Sequence, residues 1–233
     1  MNFYSTTCLI AGITNLLLAL FVLFNNPKRG LNIVFFLLGI SLSGWSFGYL
    51  GIFFASIEDI ALKWLIIPKI FVPFIPITYF HFSLIIIEDH KNSNRNIYIA
   101  GYIITLLLVI FDLLKGIIVQ GVKFLPEYDF YFPGVGRFHF LFDLIFIFLI
   151  GYGTYLLYNK YRLTRDAIEK KQLLYLLIGI CIGIAGGISD VFLEYSIQTY
   201  QIYPLGHLAN ILCDGAIIYA ITNYRLMNIH VRF

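Results

Sequence analysis

Charge is what this sequence has least of. Asp, Glu, Lys and Arg make up 12% of its 233 residues, where soluble domains carry about a quarter. Beside 60% hydrophobic residues, that shortage excludes a soluble globular chain. It also excludes nucleic acid as a partner, because no basic cluster falls on a polar surface. Cysteine is scarce too. Cys8, Cys181 and Cys213 lie in or beside apolar runs without metal-ligand spacing, and an odd count argues against a disulfide framework. The N-terminus lacks the basic region of a secretory signal, since Lys28 and Arg29 come only after the first apolar run.

The motifs of catalysis are missing as well. There is no HExxH, no GxSxG, no nucleotide-binding glycine loop and no CxxC. Gly186-Gly187-Ile188-Ser189-Asp190 does not match the GxGD motif of intramembrane aspartyl proteases, and the last apolar run has no lysine for a retinal-type linkage. The expectation is a chain without enzyme activity, catalytic residues, cofactor or metal.

What the sequence has is long apolar runs. About 20 apolar residues cross a bilayer core of about 30 Å, and seven runs meet that test, at about 7–24, 31–55, 62–87, 97–114, 138–158, 173–193 and 204–224. The third is interrupted by Pro73 and Pro76. No internal repeat or linker divides the chain, so a single membrane domain over 1–233 is expected, an all-α bundle of seven transmembrane helices. Lys and Arg in short loops mark the cytoplasmic side. Lys28, Arg29, Lys91, Arg95, Lys160, Arg162, Arg165, Lys170, Lys171, Arg225 and Arg232 collect on one side. Only Lys63, Lys69, Lys115, Lys123 and Arg137 lie on the other or within spans. Eleven against five places the N-terminus outside and the C-terminus in the cytoplasm.

Small residues let membrane helices approach closely. Gly179, Gly183 and Gly187 form one such series in the sixth run, and Ser41, Gly44, Gly48 and Gly51 another in the second; both read as packing seams. Ionisable groups inside spans are costly and face the bundle interior. Lys69, Asp112, His139, Asp143, Asp190, His207 and Asn210 fall in the outer half, and Asp214 near the middle. His139 and Asp143 are four apart and can pair. Lys69, the one cation of the group apart from any protonated histidine, calls for a carboxylate partner. Two readings stay open: a structural polar network, or a partly hydrated outer cavity for a small ligand, a proton or a cation. His81 lies in the inner half and reads as packing. The aromatic segment 121–140 reads as an interfacial anchor or a lid over that cavity. Asp166 followed by Glu169 resembles a capping box for the sixth span.

A series of short motifs carries a resemblance. Asn26-Pro27-Lys28 precedes the second span, which contains Ser43-Gly44-Trp45-Ser46-Phe47-Gly48-Tyr49. Phe74-Ile75-Pro76 and Phe80-His81-Phe82 follow in the third. Lys171-Gln172-Leu173-Leu174-Tyr175-Leu176-Leu177-Ile178-Gly179 opens the sixth, and Tyr203-Pro204-Leu205-Gly206 opens the seventh. The last is Ala220-Ile221-Thr222-Asn223-Tyr224-Arg225-Leu226-Met227-Asn228-Ile229. In this order they resemble the seven-span N-terminal sensor region of bacterial histidine kinases and related membrane signalling proteins.

The resemblance implies a multi-pass protein of the bacterial cytoplasmic membrane that detects an external or membrane-borne cue. It implies an exit through Tyr224, Arg225, Leu226 and Met227 to a cytoplasmic signalling partner, as in two-component systems. Nine residues follow Tyr224, too few for a kinase or cyclase, so the output is expected on a missing or separate module. The expected partners are the bilayer, an unknown small ligand and that module, and a homodimer is compatible with the pattern. The rival is a small transporter or channel using the outer carboxylate and histidine site, against which no repeated halves are visible. A ligand-free assembly subunit is the third reading.

Overall fold

The structure is a computed structural model describing residues 3–87, 92–195, 204–224, 226 and 229. Of the expected exit, Arg225 and Met227 lie outside the described residues, as does Tyr203.

Among the described residues eight helices follow the apolar runs: α1 (Phe3–Asn25), α2 (Gly30–Phe54), α3 (Glu58–Phe71), α4 (Phe74–Ile86), α5 (Asn92–Lys115), α6 (His139–Leu163), α7 (Ala167–Glu194) and α8 (Gly206–Tyr224). The all-α membrane bundle expected from the sequence is the observed fold class. α3 and α4 together make the third span. The break falls at Val72 and Pro73, because proline has no N–H to donate to the preceding turn. Both residues keep helical dihedrals, so the chain continues across the membrane. Pro76 sits in the first turn of α4, where no N–H is needed.

Among the described residues six spans are long and apolar enough to cross a membrane: α1, α2, α3–α4, α5, α6 and α7. α8 has 19 residues, but His207, Asn210, Asp214 and Asn223 leave it less apolar than those six. The sixth run begins earlier than hydropathy alone suggests, at Ala167 rather than Leu173, because Asp166 caps it. The Asp166 carboxylate accepts from the N–H groups of Ile168 (2.8 Å) and Glu169 (2.7 Å). The other half of the expected capping box is diverted. Glu169 accepts from Thr164 Oγ1 and pairs with Lys160 Nζ at 3.1 Å, closing the α6–α7 turn.

Short connections make sequential helices antiparallel neighbours. α1, α2, α3–α4, α6, α7 and α8 close a ring, with α8 packed back on α1 and α5 outside against α3 and α4. α1 and α2 come close where Gly39 faces Ala19, and Ser43 Oγ donates to the Gly12 carbonyl at 2.9 Å. The second-span glycines form the expected seam. Gly44, Gly48 and Gly51 lie under Phe71, Pro68 and Trp64 of α3, each where a Cβ would overlap the neighbour. Large apolar side chains on the outer faces of α5 and α6, such as Leu106 and Phe148, stand exposed, as lipid-facing positions do.

The segment between α5 and α6 is a β-hairpin, which the sequence reading did not anticipate. β1 (Val119–Leu125) and β2 (Phe130–Val135) pair antiparallel, with Lys123 opposite Phe132 and Leu125 opposite Phe130. The turn uses Asp129 at φ 56, and the pairing slips between Val119 and Val122, where Gly121 has φ 71. Alternation puts Phe130 and Phe132 on one face. That face is fully buried against Tyr49, Phe53, Cys8, Ala61 and Leu65. The aromatic segment is therefore a folded cap on one end of the bundle.

Candidate functional site

Inside the ring lies a cavity of about 540 Å³. Its walls are mostly apolar, among them Leu18, Leu38, Leu42, Phe146 and Ile180. Its polar lining includes Asn15, Lys69, Asp112, His139, Asp143, Asp190, Glu194, Asn210 and Asp214. An apolar cavity with a few convergent polar groups is the usual form of a small-molecule site. Of the expected residues, Lys69, His139, Asp143, Asp190, Asn210 and Asp214 line it; His207 does not.

These side chains fall into four groups. The first is a brace at the hairpin end. Lys69 Nζ on α3 lies 3.7 Å from Asp112 Oδ2 and donates to the Asp112 carbonyl at 3.3 Å. Asp112 Oδ1 accepts from the N–H groups of Ile118 (2.6 Å) and Val119 (3.0 Å). The expected carboxylate partner of Lys69 is thus Asp112, and together they tie α3, α5 and the start of β1.

The second group joins α6 to α7. His139 Nδ1 lies 2.9 Å from the Ile118 carbonyl, and Nε2 lies 3.1 Å from Glu194 Oε2 and 3.6 Å from Asp143 Oδ1. The expected His139–Asp143 pair is present, with a third member the sequence reading missed. Tyr195 Oη donates to Asp143 Oδ2 at 2.7 Å. Burial, with the Asp143 and Glu194 carboxylates beside it, pushes the Tyr195 pKa well above the ordinary phenol value, so the hydroxyl stays a donor. Lys123 Nζ on the hairpin donates to the carbonyls of Leu193 (2.6 Å) and Glu194 (2.9 Å), closing the C-terminus of α7. Burial lowers the Lys123 pKa, and Glu194 opposes that shift.

The third group joins α7 to α8. Ser189 Oγ accepts from Leu205 N–H at 2.9 Å, and Asp190 Oδ1 accepts from Gly206 N–H at 3.2 Å. The N-terminus of α8 is therefore capped by side chains of α7. Gly206 permits this, because a Cβ there would overlap the Asp190 carboxylate. His207 is fully buried behind it, its ring 4.3 Å from that of Trp45 and its Nδ1 3.2 Å from Ser46 Oγ. The fourth group is deeper: Thr14 Oγ1 on α1 donates to Asp214 Oδ2 on α8 at 2.8 Å.

Buried polar atoms are normally hydrogen-bonded, and each exception calls for an explanation. Among the described residues, four buried side-chain atoms lack a protein partner: Asn32 Oδ1, Asp190 Oδ2, His207 Nε2 and Asn210 Nδ2. Three of the four come from the α7–α8 pair. Leaving such a group unsatisfied costs about 1–3 kcal/mol, so the concentration is informative.

The sixth-span glycines divide differently from the expected seam. Gly179 meets Cys213 and Ala216, and Gly186 meets Ala209 and Leu205 of α8. Gly183 and Gly187 have no neighbour within 4 Å of a would-be Cβ, and both border the cavity. Helical repeat explains this. Residues 179 and 186 are two turns apart on one face, whereas strict four-residue steps drift off it.

At the opposite end, Gln172 Nε2 donates to the Tyr224 carbonyl at 2.7 Å, and the Tyr224 ring stacks on Tyr175 at 5.4 Å. Leu226 and Ile229 are buried among Leu18, Val22, Val34, Phe82 and Leu176. His81 is a packing residue, as expected, stacked 4.1 Å from Tyr98 and 3.2 Å from Tyr102 Oη.

A bundle with this series of motifs can be compared with known families. The model for the N-terminal 7TM region of histidine kinase matches residues 7–230, nearly the whole chain. The chain belongs to that family. No curated protein matches the sequence. As a member of that family the chain is a multi-pass membrane sensor region.

Proposed function

We propose that this chain detects a small polar cue in its cavity and passes it through α7 and α8 to a cytoplasmic signalling partner. One observation carries the reading: Asp190 and Asn210, on neighbouring helices, both line the cavity, and the buried acceptor Asp190 Oδ2 and donor Asn210 Nδ2 have no protein partner. A cue able to donate to Asp190 and accept from Asn210 would complete both. Because Asp190 also caps α8, its occupancy alters the contact that holds α7 to α8. A ligand shifts an equilibrium by its differential affinity for the two arrangements.

The same account sets the direction of signalling. Lys28, Arg29, Lys160, Arg162, Arg165, Lys170 and Lys171 lie at the end away from the hairpin, which favours a cytoplasmic location for that end. The N-terminus and hairpin are then outside, and Tyr224 and Leu226 lead inward to the output. The setting that suits this reading is a bacterial cytoplasmic membrane and two-component signalling. The test replaces Asp190 and Asp214 with Asn in cells where the chain works with its own output. Altered output is expected; output unchanged in both variants overturns the reading. The cavity also suits a transporter, and proteoliposome flux separates the two, because a sensor carries none.

A further inference from the structure

We propose that His139, Asp143 and Glu194 form a binding site for a divalent transition-metal ion of the zinc class, at the hairpin end of the cavity. One nitrogen and two carboxylate oxygens, one from each residue, lie within 4.8 Å of one another. Zinc takes histidine nitrogen and carboxylate oxygen at about 2.0–2.2 Å in a tetrahedron, which sets neighbouring ligands about 3.4 Å apart. His139 Nε2 is 3.1 Å from Glu194 Oε2 and 3.6 Å from Asp143 Oδ1, on either side of that spacing.

The surroundings of each ligand favour the metal. His139 Nδ1 faces only an acceptor, the Ile118 carbonyl at 2.9 Å. Nδ1 therefore carries the hydrogen, and on the neutral ring Nε2 presents its lone pair toward the two carboxylates. A metal-bound histidine is oriented in the same manner, by its second nitrogen donating to a carbonyl. A lone pair facing two carboxylates is repulsive unless a metal ion or a proton lies between Nε2 and the carboxylates, and the spacing accommodates the ion. Asp143 is held from behind by the Tyr195 hydroxyl at 2.7 Å, and Glu194 by Tyr49 Oη at 3.4 Å. Lys123 engages the Leu193 and Glu194 backbone carbonyls. Three protein ligands leave one tetrahedral position open toward the cavity. The ion would clamp the first turn of α6 to the last turn of α7. This inference stands apart from the sensory reading, since it concerns binding alone.

The test uses the full chain in lipid nanodiscs, stripped with chelator and titrated with zinc, with cobalt(II) absorption as a second readout. One equivalent per chain is expected, with tetrahedral cobalt bands and a raised thermal midpoint. His139→Gln and Glu194→Gln should lose the equivalent, and His81→Gln should keep it. Tyr195→Phe leaves every ligand in place and should weaken zinc by about tenfold, which keeps the proposal testable if a ligand variant fails to fold. No saturable equivalent, or binding undiminished in His139→Gln and Glu194→Gln, overturns it. In that case a proton on Nε2 holds the trio together.

Discussion

Asp190 of α7 caps α8 through Gly206, whose N–H donates to Oδ1 at 3.2 Å, while Oδ2 has no protein partner. One carboxylate thus fixes a helix junction and keeps one oxygen unpaired at the edge of the cavity. Asn caps a helix about as well as Asp. Asp190→Asn should therefore change thermal stability by less than about 1 kcal/mol, and Asp190→Ala should cost about 1–2 kcal/mol. Gly206→Ala should destabilise more than Asp190→Asn, because its Cβ meets the carboxylate itself. Thermal unfolding in one detergent ranks the three.

The glycines of α7 offer a paired comparison. Gly186→Ala places a methyl on Ala209 of α8 and should cost about 1–3 kcal/mol. Gly183→Ala and Gly187→Ala meet open space and should be neutral, or stabilising by up to about 1 kcal/mol through helix propensity. Equal losses at all three positions would mean that α8 packs on the face carrying Gly183 and Gly187.

Lys123 fastens the hairpin to the end of α7. Lys123→Met removes donors to two carbonyls and should lower stability by about 1.5–3 kcal/mol. Hydrogen exchange should rise first in β1 and the last turn of α7. Exchange unchanged in those elements would show that the aromatic face alone holds the cap.

The Lys69–Asp112 brace should be asymmetric. Lys69→Met leaves Asp112 with the Ile118 and Val119 N–H groups, whereas Asp112→Ala orphans both of those donors and leaves the Lys69 ammonium a main-chain carbonyl but no carboxylate at that position. Asp112→Ala should be the more damaging, by about 1–3 kcal/mol, as read from thermal unfolding of the two variants side by side.

The spans were legible because apolar runs of about 20 residues have few alternatives in a bilayer. The α2–α3 seam was legible too, since Gly44, Gly48 and Gly51 follow the helical repeat. The α7 seam was not, because its four-residue spacing matched a motif but not the face that meets α8. The hairpin was hidden by length: Phe130-Tyr131-Phe132 alternates too briefly to separate strand from loop. Glu194 and Tyr195 lie just beyond the sixth apolar run, and only the folded chain sets them beside His139. The pairing of His139 with Asp143 was readable, since i, i+4 positions meet on any helix.

The central claim is the proposal that a small polar cue reaches the cavity from outside the cell. Gly187 borders it with room for a side chain, so Gly187→Cys, in a chain whose three native cysteines are replaced, serves as a reporter. Right-side-out vesicles would be treated with a membrane-impermeant, charged thiol reagent, with the lipid-facing Leu106→Cys as the control. The account predicts modification of Gly187→Cys from outside and none at the control. A reporter unreactive from outside, or reactive only from the cytoplasmic face, would contradict it.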